Sequence, residues 1–184
     1  MSEKTKTQIR AVELKLIAEL MKNSRRSDRE LARAVGVSQP TVSRLIAKLE
    51  REGYIREYTM IPDLEKLGYG ILAVNLFKYK TSFDAKKIEK AKNILLESFR
   101  KGPFEIIMAE RGRGVGYDAV MISVHRDYKS FIELVEWARQ FPEFELERME
   151  SFLVNLADEV HYRSLTFASL AKDIVKFAEK GSKT

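Results

Sequence analysis

No cysteine occurs among these 184 residues, so disulfide staples and thiolate metal sites are excluded at the outset. Histidine is almost as scarce. His125 and His161 have no second histidine at metal-ligand spacing, so no metal site is expected. An HExxH pattern, a GxSxG elbow and a P-loop are also missing. The string Gly112-Arg-Gly-Val-Gly superficially looks like a phosphate loop, but it joins two expected strands and opens no helix. No catalytic residue and no cofactor is therefore expected. No run reaches the roughly 18 apolar residues that a membrane span requires. The opening decapeptide MSEKTKTQIR lacks an apolar signal core. These absences lead to the expectation of a cytoplasmic protein with no membrane partner.

What the chain does have is positive charge in one place. The formal charge is +6 and the pI about 9.4. Residues 22–51 alone hold eight basic side chains against three acidic ones, a net of +5. A polyanion is the partner such a patch favours.

The same stretch, SDRELARAVGVSQPTVSRLIAKLEREG over 27–53, has the outline of a helix-turn-helix. Ser27 and Glu30 are spaced as a capping box, and Leu31, Ala32 and Val35 supply an inward face. Gly36 stands where the chain must reverse. Ser38 is placed to cap a second helix, with Pro40 in its first turn. Val42, Leu45, Ile46 and Leu49 recur at helical spacing, leaving Gln39, Thr41, Ser43, Arg44 and Lys48 outward. A short helix with a small, polar and basic exposed face suits a DNA major groove. A first helix over about 9–22 completes a three-helix unit. Tyr54 to Ile61 reads as a strand or small wing, closed by Pro62-Asp63. Arg56 on it is placed either for a phosphate or for a surface carboxylate.

Downstream the pattern is strand 70–79, helix 84–100, strand 105–110, a Gly-rich loop 111–116, strand 117–125, helix 128–140 stopped by Pro142, and strand 145–156. That β-α-β-β-α-β order predicts a ferredoxin-like antiparallel sheet with both helices on one face. Leu72, Val74, Ile106, Met108, Val120 and Ile122 are candidates to line one side or the other. An uncovered apolar sheet calls for a partner subunit or a covering element. Phe167, Leu170, Ala171, Ile174, Phe177 and Ala178 then mark a further helix over about 165–180, ended by Gly181, whose docking partner the sequence leaves open. The fold class is α+β: a three-helix, winged helix-turn-helix domain over 1–62, a ferredoxin-like domain over 63–156, and a C-terminal helical extension over 157–184.

ELAR-x-VGVS-x-x-TVSR-x-x-x-LE-x-x-GYI in 30–55, EKLGY at 65–69 and the βαββαβ order together resemble the Lrp/AsnC family of transcription regulators over residues 9–156. The resemblance implies DNA binding by the N-terminal domain. It also implies dimers or larger assemblies through the sheets, and a small effector such as an amino acid. Carried over, it puts Gln39, Thr41, Ser43 and Arg44 nearest the base edges and Lys48 on or near the backbone. Arg26 and Arg56 are further candidates for contact with the double-stranded DNA. The family's effector region includes a glycine-containing loop running into a Tyr-Asp pair, matched here by Tyr117-Asp118 after Gly112, Gly114 and Gly116. Arg111 and Arg113 make this loop basic, and its glycine spacing is shifted from the family's pattern. Arg111, Gly114, Gly116, Tyr117 and Asp118 are the expected effector site for a small carboxylate; alternatively the glycines serve only a turn. The C-terminal extension exceeds the family's usual length. Two other readings stay open: an assembly or effector-sensing module with vestigial DNA binding, and a heme-biosynthetic decarboxylase-like enzyme. The second needs His125, Arg111, Arg113 or Tyr117 to gather in one pocket.

Overall fold

The computed structural model describes residues 9–80, 85–140, 145–160, 162–163 and 165–181. They form two compact units, one made of residues 1–61 with 162–184, the other of 62–161.

The first unit starts with α1 (Ala11–Lys22), α2 (Asp28–Val35) and α3 (Gln39–Arg51). Ser27 caps α2 as expected: its hydroxyl accepts from the Glu30 amide at 3.3 Å, and the Glu30 carboxylate accepts from the Ser27 amide at 2.8 Å. Gly36 ends α2 at φ 81°, a left-handed conformation that a side chain would strain. Ser38 does stand at the N-cap of α3, but its side chain makes no capping bond. Its hydroxyl pairs instead with that of Thr41 at 2.8 Å, a competing local bond open to any Ser-x-x-Thr. Leu16, Leu31, Val42, Leu45 and Leu49 close the core, so each helix contributes an apolar stripe to one cluster. Tyr54–Ile61 forms no strand, unlike the sequence pattern, because no antiparallel segment of its unit pairs with it. The Tyr58 hydroxyl bonds the Glu50 carboxylate instead, and partial burial together with that carboxylate pushes the phenol up to about 12.

The C-terminal helix, α6 (Leu170–Gly181), packs on α1. Each of the two carries a fully buried alanine, Ala18 and Ala171, the residue type that lets helix backbones approach closely. The helix begins later than its apolar pattern suggests. Phe167 lies outside it, and both Phe167 and Leu170 are largely exposed.

The second unit is a four-stranded antiparallel sheet in the order β2-β3-β1-β4, with β1 (Ile71–Tyr79), β2 (Glu105–Gly114), β3 (Tyr117–His125) and β4 (Leu146–Asn155). Two helices, α4 (Ala85–Lys101) and α5 (Tyr128–Arg139), connect them. Asp127 caps α5 by accepting from the Ser130 amide at 2.8 Å. The end of that helix fell in the sequence reading to Pro142, which lies outside the described residues. Phe77, Met121 and Leu134 are the buried centre, with Phe99 of α4 and Trp137 of α5 packed on them, so both helices sit on one face. Because side chains alternate along a strand, register fixes which residues share each face. Pairing Val74 with Ile122 and Phe152, and Leu76 with Val120, places these side chains on the face away from the helices. Leu72, Val154 and Met108 follow them by the same register. Ile106 goes to the helix side, opposite Ser123. That side also holds a polar chain, buried at Asn75, Ser123 and His125 and reaching out to exposed Ser151, that carries no signal in the sequence. Ser151 Oγ donates to Asn75 Oδ1 at 2.7 Å, Asn75 Nδ2 to Ser123 Oγ at 3.0 Å, and Ser123 Oγ meets His125 Nε2 at 2.8 Å. Every member has a partner, which is what makes such burial tolerable.

Among the described residues no helix is long and apolar enough to cross a membrane.

Candidate nucleic-acid interface

Helix α3 buries Val42, Leu45 and Leu49, and this fixes what it shows outward. Gln39, Pro40, Ser43, Arg44, Ala47, Glu50 and Arg51 are exposed, while Thr41 and Lys48 are half-buried along its edge. Pro40, Ala47 and Arg51 follow one another at helical spacing along the middle of the exposed face, flanked by Ser43 and Arg44. Arg44 Nε donates to the Pro40 carbonyl at 3.2 Å, which steadies the side chain and leaves the ends of its guanidinium fork outward. Ser43 donates to the Asp28 carboxylate and so ties α3 to the start of α2.

Ala47 and Arg51 belong to this face and were not singled out by the sequence reading. Extending the spacing from Pro40 by two and three turns would have found both. Arg26 is bonded to Glu19 of α1, and Arg56 is exposed on the segment after α3. Lys48, expected at the DNA backbone, has its ammonium 2.8 Å from Glu13 Oε1 and 3.8 Å from Glu52 Oε2. Glu13 is 1% exposed and also accepts from Arg10, through the amide at 2.8 Å, Nε at 3.0 Å and Nη2 at 2.7 Å. Burial alone would push this carboxyl up, but its Arg10 and Lys48 donors outweigh that and hold it at about 2.

The second group of expected residues lies at the β2–β3 hairpin. The six-residue loop of the sequence reading contracts to a two-residue turn, because β2 continues to Gly114 and Val115-Gly116 alone reverse the chain, at φ 45° and 86°. Two positive φ values match the strand twist of a tight hairpin, and Val115 adopts one without being glycine. Arg111 is consequently a strand residue opposite Ala119. Asp118 accepts from the Tyr79 amide and the Lys78 ammonium, each at 3.1 Å, and these donors hold it below its ordinary range. Tyr117 lies under the Arg148 guanidinium, 4.9 Å from its ring centre, and Arg148 Nε is 3.5 Å from Glu150. Lys78, Arg148 and Glu150 thus join Tyr117 and Asp118. Strand pairing brings them in from sequence positions that carry no local signal.

His125 stands at the opposite end of β3 from Tyr117, about 26 Å away by strand rise. These two therefore do not gather in one pocket, as the enzyme reading needs, and His161 lies outside the described residues. Burial holds His125 below its ordinary value, and its ring packs edge-on against Phe131 at 5.6 Å. Among the described residues no cluster of side chains has the makings of a metal site.

A capped helical pair with a cationic outward face, joined to a ferredoxin-like sheet, defines a helix-turn-helix protein with a separate α/β unit. The winged helix-turn-helix DNA-binding family model matches residues 9–56. The uncharacterized HTH-type transcriptional regulator PH0061 of Pyrococcus horikoshii is 42% identical over 77 residues, 42% of this chain and 51% of that protein. Its crystal structure superposes with a TM-score of 0.66 at 26% identity, covering 86% of this chain and 99% of the other. The leucine-responsive regulatory protein of Rhizobium meliloti is 34% identical over 80 residues, 44% of this chain and 51% of that protein. The regulator NMB0573 of Neisseria meningitidis, in its L-Met complex, gives a TM-score of 0.68 at 19% identity, covering 88% of this chain and 96% of the other. The chain spans about half the length of the curated relatives it matches. Its N-terminal part is similar to the leucine-responsive regulatory protein and LrpC, and its fold matches that of AsnC-family regulators.

Proposed function

We propose that the protein is a sequence-specific transcription regulator that binds double-stranded DNA as a homodimer or larger homo-oligomer. The observation that carries this is the outward face of α3, where Gln39, Ser43, Arg44, Ala47 and Arg51 stand together on a buried three-helix core. Four of these have a matching feature in DNA. The Arg44 fork fits guanine, Gln39 fits adenine and Ala47 fits a thymine methyl. Arg51 and Arg56 suit phosphates. A gel-shift series on the upstream region of its own gene, at rising salt, tests the reading. Binding is expected at low salt and to weaken steeply as salt rises. Arg44→Ala should erase sequence discrimination, at about 1–3 kcal/mol. Absence of binding at low salt, or indifference to salt, rejects it.

The same regulator would be tuned by a small carboxylate-bearing effector at the Arg111–Asp118 hairpin. Two things support this. A neighbour in fold is described as an L-Met complex, and the hairpin carries Arg111 and Arg113 beside Tyr117 and Asp118. A thermal-shift screen with amino acids and 2-oxo acids is expected to raise the melting temperature for one of them, and to lose that rise in Arg111→Ala. No stabilisation by any of them would leave the glycines with a turn role alone.

A further inference from the structure

We infer that Lys48 is a positioning residue, not a phosphate contact: its bond to the buried Glu13 carboxylate of α1 sets how α3 presents its DNA-facing side chains. The inference rests on the DNA-binding reading above and deepens it.

The geometry has three parts. Glu13 is 1% exposed, so its charge is tolerable only with donors around it. Arg10 supplies three of these, but it flanks Glu13 on the same helix and restrains nothing beyond it. Lys48 is the donor that reaches Glu13 from α3, 35 residues along the chain. Its ammonium is further engaged by Glu52, and the side chain is only 24% exposed. To reach a phosphate, Lys48 would have to abandon a buried carboxylate. Arg44 and Arg51, by contrast, are exposed and have no ion pair among the described residues.

Lys48 follows Arg44 by one helical turn, and Ala47 and Arg51 are its near neighbours on α3. Rolling the helix about its axis would move Arg44 and Ala47 away from the bases and Arg51 away from its phosphate. A bond between a fixed point on α1 and one edge of α3 resists that roll.

The test uses full-length wild type, Lys48→Met, the double variant Glu13→Gln/Lys48→Met, and Arg51→Ala. Each is titrated by fluorescence anisotropy against a DNA fragment selected by the wild type, at several salt concentrations below the variant's melting temperature. Lys48→Met is expected to bind about tenfold more weakly with the salt slope unchanged. Its melting temperature should fall by about 5 °C. The double variant should recover most of the melting temperature, because no buried carboxylate is left short of a donor, but not the affinity, because α3 still lacks its tie to α1. Arg51→Ala should lower the slope by about 1. If Lys48→Met does not fold, weakened binding with an unchanged slope in the double variant carries the result alone.

A slope lowered by about 1 in both variants overturns the inference and makes Lys48 a phosphate contact, and full affinity in the double variant overturns it by showing that α3 needs no tie to α1. Unchanged affinity in folded Lys48→Met also overturns it, leaving a purely structural ion pair. Wild type that shows no salt-dependent binding removes the DNA-binding reading and this inference together. The two failures are therefore told apart by the wild-type curve.

Discussion

Phe152→Arg is expected to convert a dimer into a monomer and to weaken DNA binding by at least about 100-fold. Phe152 is 71% exposed at the middle of β4, on the sheet face that no helix of its unit covers. Across the sheet it is continuous with Val74 and Ile122, its register partners, and then with Met108. Such a run of apolar side chains suits association, and in the proposed homodimer a second copy of the same face would cover it. An arginine there would be buried against an apolar partner with no carboxylate opposite, which an interface core does not tolerate. The loss in DNA affinity follows from linkage of two half-sites, since a monomer forfeits the effective concentration that the second recognition helix enjoys. Sedimentation equilibrium reads the mass and anisotropy the affinity. A wild-type monomer, or a dimer surviving in Phe152→Arg, would place the interface elsewhere.

Leu49→Ala is expected to cost the first unit about 2–5 kcal/mol and to abolish DNA binding at moderate temperature. Leu49 is fully buried at the end of α3 and touches the cluster built from all three helices. A small helical unit has little stability to lose, so a cavity at this point releases α3. The single tryptophan makes the result readable by unit. Trp137 packs against Phe104 at 5.5 Å in the core of the second unit, so its fluorescence follows that core alone. Circular dichroism in urea should show an early loss of helix while the Trp137 transition stays in place. Equal shifts in both signals would mean that the two units unfold as one.

Much of the first unit was legible because its signals are local. Ser27 and Glu30 cap α2 through residues three apart, and Gly36 takes the left-handed turn that its position demands. Val42, Leu45 and Leu49 point inward because helical spacing leaves them no other choice once one is buried. The same argument places Arg44 outside. It does not reveal that Lys48 leans back to Glu13, since that bond joins residues 35 apart on different helices. Nor does it show Ser43 bonded to Asp28.

The second unit divides in the same way. Strand order and the side of the helices follow from the βαββαβ pattern. The hairpin shortened because Gly114 and Tyr117 pair directly, and a ladder bond outweighs the loop that the glycines suggest. Arg148 came to Tyr117, and Lys78 to Asp118, through the register between strands.

Sequence by itself determined most of the elements, helix α3 and the positive charge around it, because caps, turns and periodicity act over a few residues. Tertiary structure alone decided three matters: that α6 packs on α1, that Lys48 is held by Glu13, and which apolar side chains share the uncovered face of the sheet. Each depends on groups far apart in the chain that meet only once the backbone has folded, and no local pattern encodes such a meeting.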